Sequence, residues 1–173
     1  MSRLAGWMLG VFVLALAVRL AFLTLGPGIE LAPERLGGDP ADYHGIAMSL
    51  YEGDGYSWVW PGTGPQAGER VATATRAPVL PVLLAALYQV TGPSPTAGRL
   101  LLVAIDGLTA VLLVALGARL GGRRVGIAAG LLAAVHPAMW INVQTLMSEV
   151  PTTFLVVASL LAAERVRRSP TLG

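Results

Sequence analysis

Cysteine is absent, and lysine is absent too, so that every one of the twelve basic residues is an arginine. The first absence excludes disulfides, thiolate metal sites and cysteine nucleophiles. Charge is scarce: 13% of residues are charged against 54% hydrophobic, and the mean hydropathy of +0.66 leaves too little polar surface to cover a soluble globule of this size. A chain with that balance belongs in a bilayer. The formal net charge of +2 is too small to propose nucleic acid as a partner, and the arginines read instead as topology signals. Internal repeats, Walker motifs and dinucleotide-binding patterns are also missing.

What is present is a series of apolar runs. Four can span: 4–25, which reads as an uncleaved anchor helix, then 100–120, 125–141 and 150–166. The run 79–90 is too short, reaching only roughly 18 Å as a helix, and Pro78 and Pro81 open it, so it is expected to lie in the interface or re-enter. With four spans, Arg3, the Arg119/Arg123/Arg124 cluster and the Arg165/Arg167/Arg168 cluster share one side, which the positive-inside rule makes cytoplasmic. The loop 26–99 then faces outside. The expected class is an all-α polytopic membrane protein, with the whole of 1–173 in one membrane domain and interfacial helices at about 40–52 and 79–90.

The exterior loop concentrates the acids. Asp39 followed by Pro40, with Asp42 in the first turn, reads as a helix start with a side-chain N-cap. Tyr43, Ile46, Ala47, Leu50 and Tyr51 follow at helical spacing as one apolar stripe fit to lie on a membrane. Asp39 is therefore a candidate catalytic acid or merely a cap. Arg76, just before Pro78 and Pro81, is suited to a phosphate through its planar fork of donors, or else anchors an interfacial helix by snorkelling. Glu149 opens the last span, either as a second acid or as a carboxylate favoured by the helix dipole.

Two charges fall inside spans. Arg19 and Asp106 should lie at similar depth, and an unpaired charge at mid-bilayer costs about 2.5–3.5 kcal/mol on insertion scales, so a structural ion pair between the two helices is expected. His136, before Pro137, reads as a hydrogen-bonder between helices, with no second histidine at ligand spacing.

The order of these pieces resembles one family. An N-terminal anchor precedes an exterior D-x-x-x-Y-x-x-I-A helix (Asp39, Tyr43, Ile46, Ala47). After it come G-x-G-Y, an R-x-P-x-x-P element at Arg76, an R-L-L span ending L-G-x-R-R, a span ending H-P, and an S-E opening the next. This is similar to the N-terminal region of the GT-C-type membrane glycosyltransferases, specifically the bacterial relatives of dolichyl-phosphate-mannose protein mannosyltransferases and lipid A aminoarabinose transferases. The resemblance implies a transferase of the bacterial cytoplasmic membrane that moves a sugar from a polyprenyl-phosphate-linked donor to a protein, lipid or glycan acceptor on the outer face. It gives Asp39 the part of the base, Glu149 the second acid and Arg76 the phosphate ligand, with Asp42 and Tyr43 supporting. It implies no cofactor. Some relatives have a carboxylate before the basic residue where this chain has Thr75, so no metal is carried over and a divalent metal is left open.

Such enzymes continue through further spans, so the resemblance also implies an N-terminal portion that is inactive alone. Two other classes stand beside it. In a non-catalytic, lipid-carrier-binding subunit Asp39 is only a cap, and in a small transporter Arg19 and Asp106 are the functional charges.

Overall fold

The computed structural model of the protein describes residues 3–59 and 68–168. Among these residues helix dominates, with one small two-stranded sheet. They divide into two compact units, one built from residues 3–29, 101–144 and 149–168, the other from 30–59, 68–100 and 145–148.

The first unit holds α1 (Arg3–Leu25), α4 (Pro95–Gly121) from Leu101 onward, α5 (Arg123–Val135), α6 (Pro137–Trp140), a 3-10 turn (Ile141–Gln144) and α7 (Glu149–Arg168). Helices α1 and α4, of 23 and 27 residues, are long and apolar enough to cross a membrane. Helix α1 turns Val11, Ala15, Arg19 and Leu23 inward, one every fourth residue, and shares a small-residue core with Ala110 and Val114 of α4 and Ala133 and Ala134 of α5. The close approach depends on glycine. A Cβ on Gly126 would meet the backbone of Val114 and Ala118, and one on Gly130 the side chain of Val114. Such seams suit helices in apolar surroundings, where contact distance rather than water exclusion drives association.

The expected span 125–141 is not one helix. Helix α5 ends at Val135, and the chain bends by 57° into α6 and the following turn. Pro137 is the cause: it lacks the N–H that Ala133 O would accept, and it holds His136 extended at φ −70°, ψ 126°. The expectation of His136 as a bond between helices is likewise corrected, because its Nδ1 accepts the Ala138 N–H at 3.2 Å and so caps α6. Helix α7 has 20 residues, with Glu149 at its start and Glu164, Arg165, Arg167 and Arg168 at its end, and does not join α1 and α4 as a sufficiently apolar span.

The second unit holds α2 (Asp39–Glu52), β1 (Ser57–Val59), β2 (Arg70–Ala72) and α3 (Val79–Thr91), preceded by a 3-10 turn (Pro33–Arg35). The N-cap of α2 is Gly38, at φ 59°, and no side chain caps the helix. Asp39 is thus the first helical residue, not the cap, because its carboxylate is drawn to a guanidinium described below. The stripe on α2 is also corrected: Tyr43, Ile46 and Ala47 are buried where α2 packs on α3, whose inward face is Leu80, Leu84, Ala85 and Tyr88. The large apolar side chains that α3 leaves outward are Val79, Val82 and Val90. Strands β1 and β2 pair antiparallel, Trp58 opposite Val71, and add to the all-α expectation a hairpin whose connection 60–67 lies outside the described residues.

Candidate functional site

Helix α2 presents its first turn to the segment entering α3. Asp39 and Asp42, three residues apart, lie on one face of that turn, and Arg76 reaches them from a segment fixed by the hairpin on one side and the Pro78 helix start on the other. Its Nε–H donates to Asp42 Oδ2 at 3.0 Å, while Nη2 donates to Asp42 Oδ2 at 2.6 Å and to Asp39 Oδ1 at 2.5 Å. The guanidinium carbon stands 5.7 Å from the centroid of the Tyr43 ring, within cation–π range. The Tyr56 hydroxyl donates to the Arg76 carbonyl at 2.9 Å, and the Tyr43 hydroxyl to Ser148 Oγ at 2.8 Å.

Exposure separates the two acids. The Asp39 side chain is 48% exposed and the Asp42 side chain 16%, with Arg76 between them at 25%. The hydrogen bond to Asp42 is the main influence holding the Arg76 pKa above the ordinary arginine value; desolvation opposes it and the charges of both carboxylates add to it. Burial raises the Tyr56 hydroxyl above its ordinary value, helped by Tyr43.

A cleft of about 430 Å3 opens beside Asp42, between α2 and the hairpin, lined among others by Ala41, Gly45, Met48, Ser49, Trp58 and Arg70. The small residues of α2 form one side of the cleft. Arg70 ties the hairpin to the end of α2, reaching Ser49 Oγ at 2.6 Å, Asp54 at 3.0 Å and Glu52 at 3.1 Å. On the α3 side, His44 Nδ1 lies 2.9 Å from the buried Tyr88 hydroxyl, and desolvation lowers the His44 pKa below 6.5.

Of the residues singled out in the sequence, Asp39, Asp42, Tyr43 and Arg76 come together in this unit. Glu149 begins α7 in the other unit, exposed, its carboxylate in no ion pair among the described residues. No group of three His, Asp or Glu side chains among the described residues could hold a metal ion. Sequence reasoning missed Tyr56 and Ser148 as supports of the cluster. Tyr56 had a signal in its G-x-G-Y setting, whereas Ser148, 105 residues from Tyr43, had none.

Arg19 and Asp106 also meet, within the first unit. Arg19 Nε donates to Asp106 Oδ2 at 2.5 Å, and both residues are buried. The rest of the guanidinium goes to backbone: Nη1 to Ala134 O at 2.6 Å and Ala15 O at 3.1 Å, Nη2 to Ala133 O at 3.3 Å. Ala133 and Ala134 are the carbonyls that the break at Pro137 leaves without helical donors, and Trp140 Nε1 serves the next, Val135 O, at 3.1 Å. Arginine supplies what proline withholds.

Compared with family models, with curated proteins and with solved structures, the chain matches none.

Proposed function

We propose that the protein is a GT-C-type membrane glycosyltransferase that moves a sugar from a polyprenyl-phosphate-linked donor to an acceptor at the outer membrane face. The observation that supports the reading is the Asp39–Arg76–Asp42 cluster: a half-exposed carboxylate within one hydrogen bond of a guanidinium, at the mouth of a helix turn beside a cleft. In this scheme Asp39 takes the proton of the acceptor hydroxyl, the acceptor oxygen displaces the phosphate at the anomeric carbon, and Arg76 stabilises the phosphate that leaves. Glu149 is a second acid of the outer side.

The topology in this reading has four crossings: α1, α4, the broken α5–α6 segment and α7. The N-terminus and both arginine clusters are cytoplasmic, and the segment from α1 to α4 is exterior. A cysteine in place of the exposed Glu34 then reacts with an impermeant thiol reagent in intact cells, and one at Gly122 does not. The reverse pattern removes the carboxylates from the outer face.

The direct test is Asp39→Asn in the full-length protein, supplied with a polyprenyl-phosphate sugar. Asp39 is not the cap and its half-exposed ion pair is worth about 1 kcal/mol at most, so the fold is kept, and turnover falls by roughly 100-fold or more, the scale of losing a general base. Retained turnover sinks the assignment. The subunit reading has one observation of its own, that Arg76 is already engaged by two carboxylates, and it requires Asp39→Asn to be silent.

A further inference from the structure

The carboxylates do not hold Arg76 equally. Asp42 takes the side edge of the guanidinium, both Nε and one Nη2 hydrogen, on a single oxygen, and is the more buried acid. Asp39 takes only the other Nη2 hydrogen, from a half-exposed position. That hydrogen belongs to the end edge, and its neighbour there, Nη1, makes no bond among the described residues. Either edge of a guanidinium can make two-pronged contact with a phosphate, and with Asp42 on the side edge the end edge is the one left to offer. An incoming phosphate and Asp39 therefore compete for the same donor, whereas Asp42 does not.

Charge requires that one of the two give way, and the geometry decides which. Two carboxylates on one guanidinium leave the trio at a formal −1, so an added anion is repelled unless one carboxylate withdraws. Arg76 itself is kept in place from other directions, by the Tyr56 hydroxyl on its carbonyl and the Tyr43 ring beside its guanidinium.

We propose that Asp42 is the positioning residue of the site and Asp39 the displaceable one: a phosphate monoester or diester arriving at Arg76 takes the donor that Asp39 holds and releases the Asp39 carboxylate. Resting on the transferase reading, this orders the reaction. Before the donor binds, the Asp39 carboxylate is held in its hydrogen bond to Arg76; once the donor phosphate occupies Arg76, the carboxylate is released toward the acceptor. The site is silent toward an acceptor that arrives first.

The test is binding of dodecyl phosphate and of inorganic phosphate to the purified chain in detergent, by calorimetry. Asp39→Asn, which removes the competing charge and leaves a weaker acceptor, tightens dodecyl phosphate by about tenfold, Asp42→Asn weakens it by about tenfold, and Arg76→Ala removes it. Opposite signs for the two acids distinguish positioning from a merely structural contribution, in which both substitutions weaken binding. The comparison of Asp39→Asn with the unaltered chain carries the test even if Asp42→Asn does not fold. Unchanged or weaker binding by Asp39→Asn overturns the proposal, as does an absence of dodecyl phosphate binding. Equal affinity for inorganic phosphate keeps the displacement but overturns a lipid source for the ligand. Tightening by Asp39→Asn in a protein that transfers no sugar supports the displacement and refutes the transferase.

Discussion

Pro137 and Arg19 are expected to be coupled, and the size of the coupling can be worked out from the partners of the guanidinium. Removing Asp106 alone leaves a buried cation short of its counter-ion, a loss of about 3–5 kcal/mol for a broken buried pair. Arg19→Leu alone leaves Asp106 uncompensated and also orphans the Ala133 and Ala134 carbonyls, at about 1–3 kcal/mol each. The double change Arg19→Leu with Asp106→Leu removes both charges, which for a buried pair is close to neutral, so only the orphaned carbonyls remain, about 2–6 kcal/mol in all. The double variant is therefore more stable than Arg19→Leu by roughly 3 kcal/mol, far from additive. Adding Pro137→Ala to the double variant supplies Ala133 O with a backbone donor and recovers roughly 1–3 kcal/mol, while the same change in the unaltered chain recovers nothing, because Arg19 already serves that oxygen. Unfolding in mixed detergent, followed by tryptophan fluorescence to which Trp140 contributes, its ring tilted by 49° against Phe22 with centroids 4.5 Å apart, reads all of these. Additive losses from the two single substitutions, or equal gains from Pro137→Ala with and without Arg19, would refute the reasoning.

Gly126→Ala is expected to lower thermal stability in detergent by about 1–3 kcal/mol or more, since the new methyl meets the backbone of α4, whereas Gly6→Ala, with open space around it, is neutral or slightly stabilising. Equal melting temperatures for the two variants would contradict the α4–α5 seam. Because desolvation puts the folded His44 pKa below its unfolded value of about 6.5, the unfolded state binds the proton first as pH falls, and stability drops as pH decreases through 6.5. His44→Gln should flatten that part of a melting-temperature profile between pH 7 and 5, and an unchanged profile would assign the titration elsewhere.

Much of the helical layout was legible because it rests on local signals. Apolar length marks α1 and α4, the prolines mark the starts of α2 and α3, and equal depth along two spans brings Arg19 to Asp106. What escaped depends on partners distant in sequence. Nothing near Asp39 shows that a guanidinium 37 residues away will draw its carboxylate from the helix end, which moves the cap to Gly38. The stripe of α2 has the period of a surface helix, and the period is the same whether lipid or α3 covers it. The hairpin strands are three residues each, too short for alternation to register. The bend at Pro137 was foreseeable in kind, as a residue before proline leaves the helical region, but hydropathy reads across a broken helix as if it were continuous.

The partners of Arg19 also set a timetable for biogenesis. Its carboxylate lies 87 residues further along the chain and the Ala134 carbonyl 115, so α1 emerges from the ribosome long before either exists. At about 5–20 residues per second that wait lasts roughly 4–23 s. If α1 crosses a membrane, as its length and composition allow, its leucines, valines and phenylalanines must during that time retain a guanidinium in the bilayer unaided, or let it snorkel to a headgroup, against a translocation cost of about 2.5–3.5 kcal/mol. Translation of α4 and α5 ends the wait, and α1 acquires its final rotation only when α5 has been made.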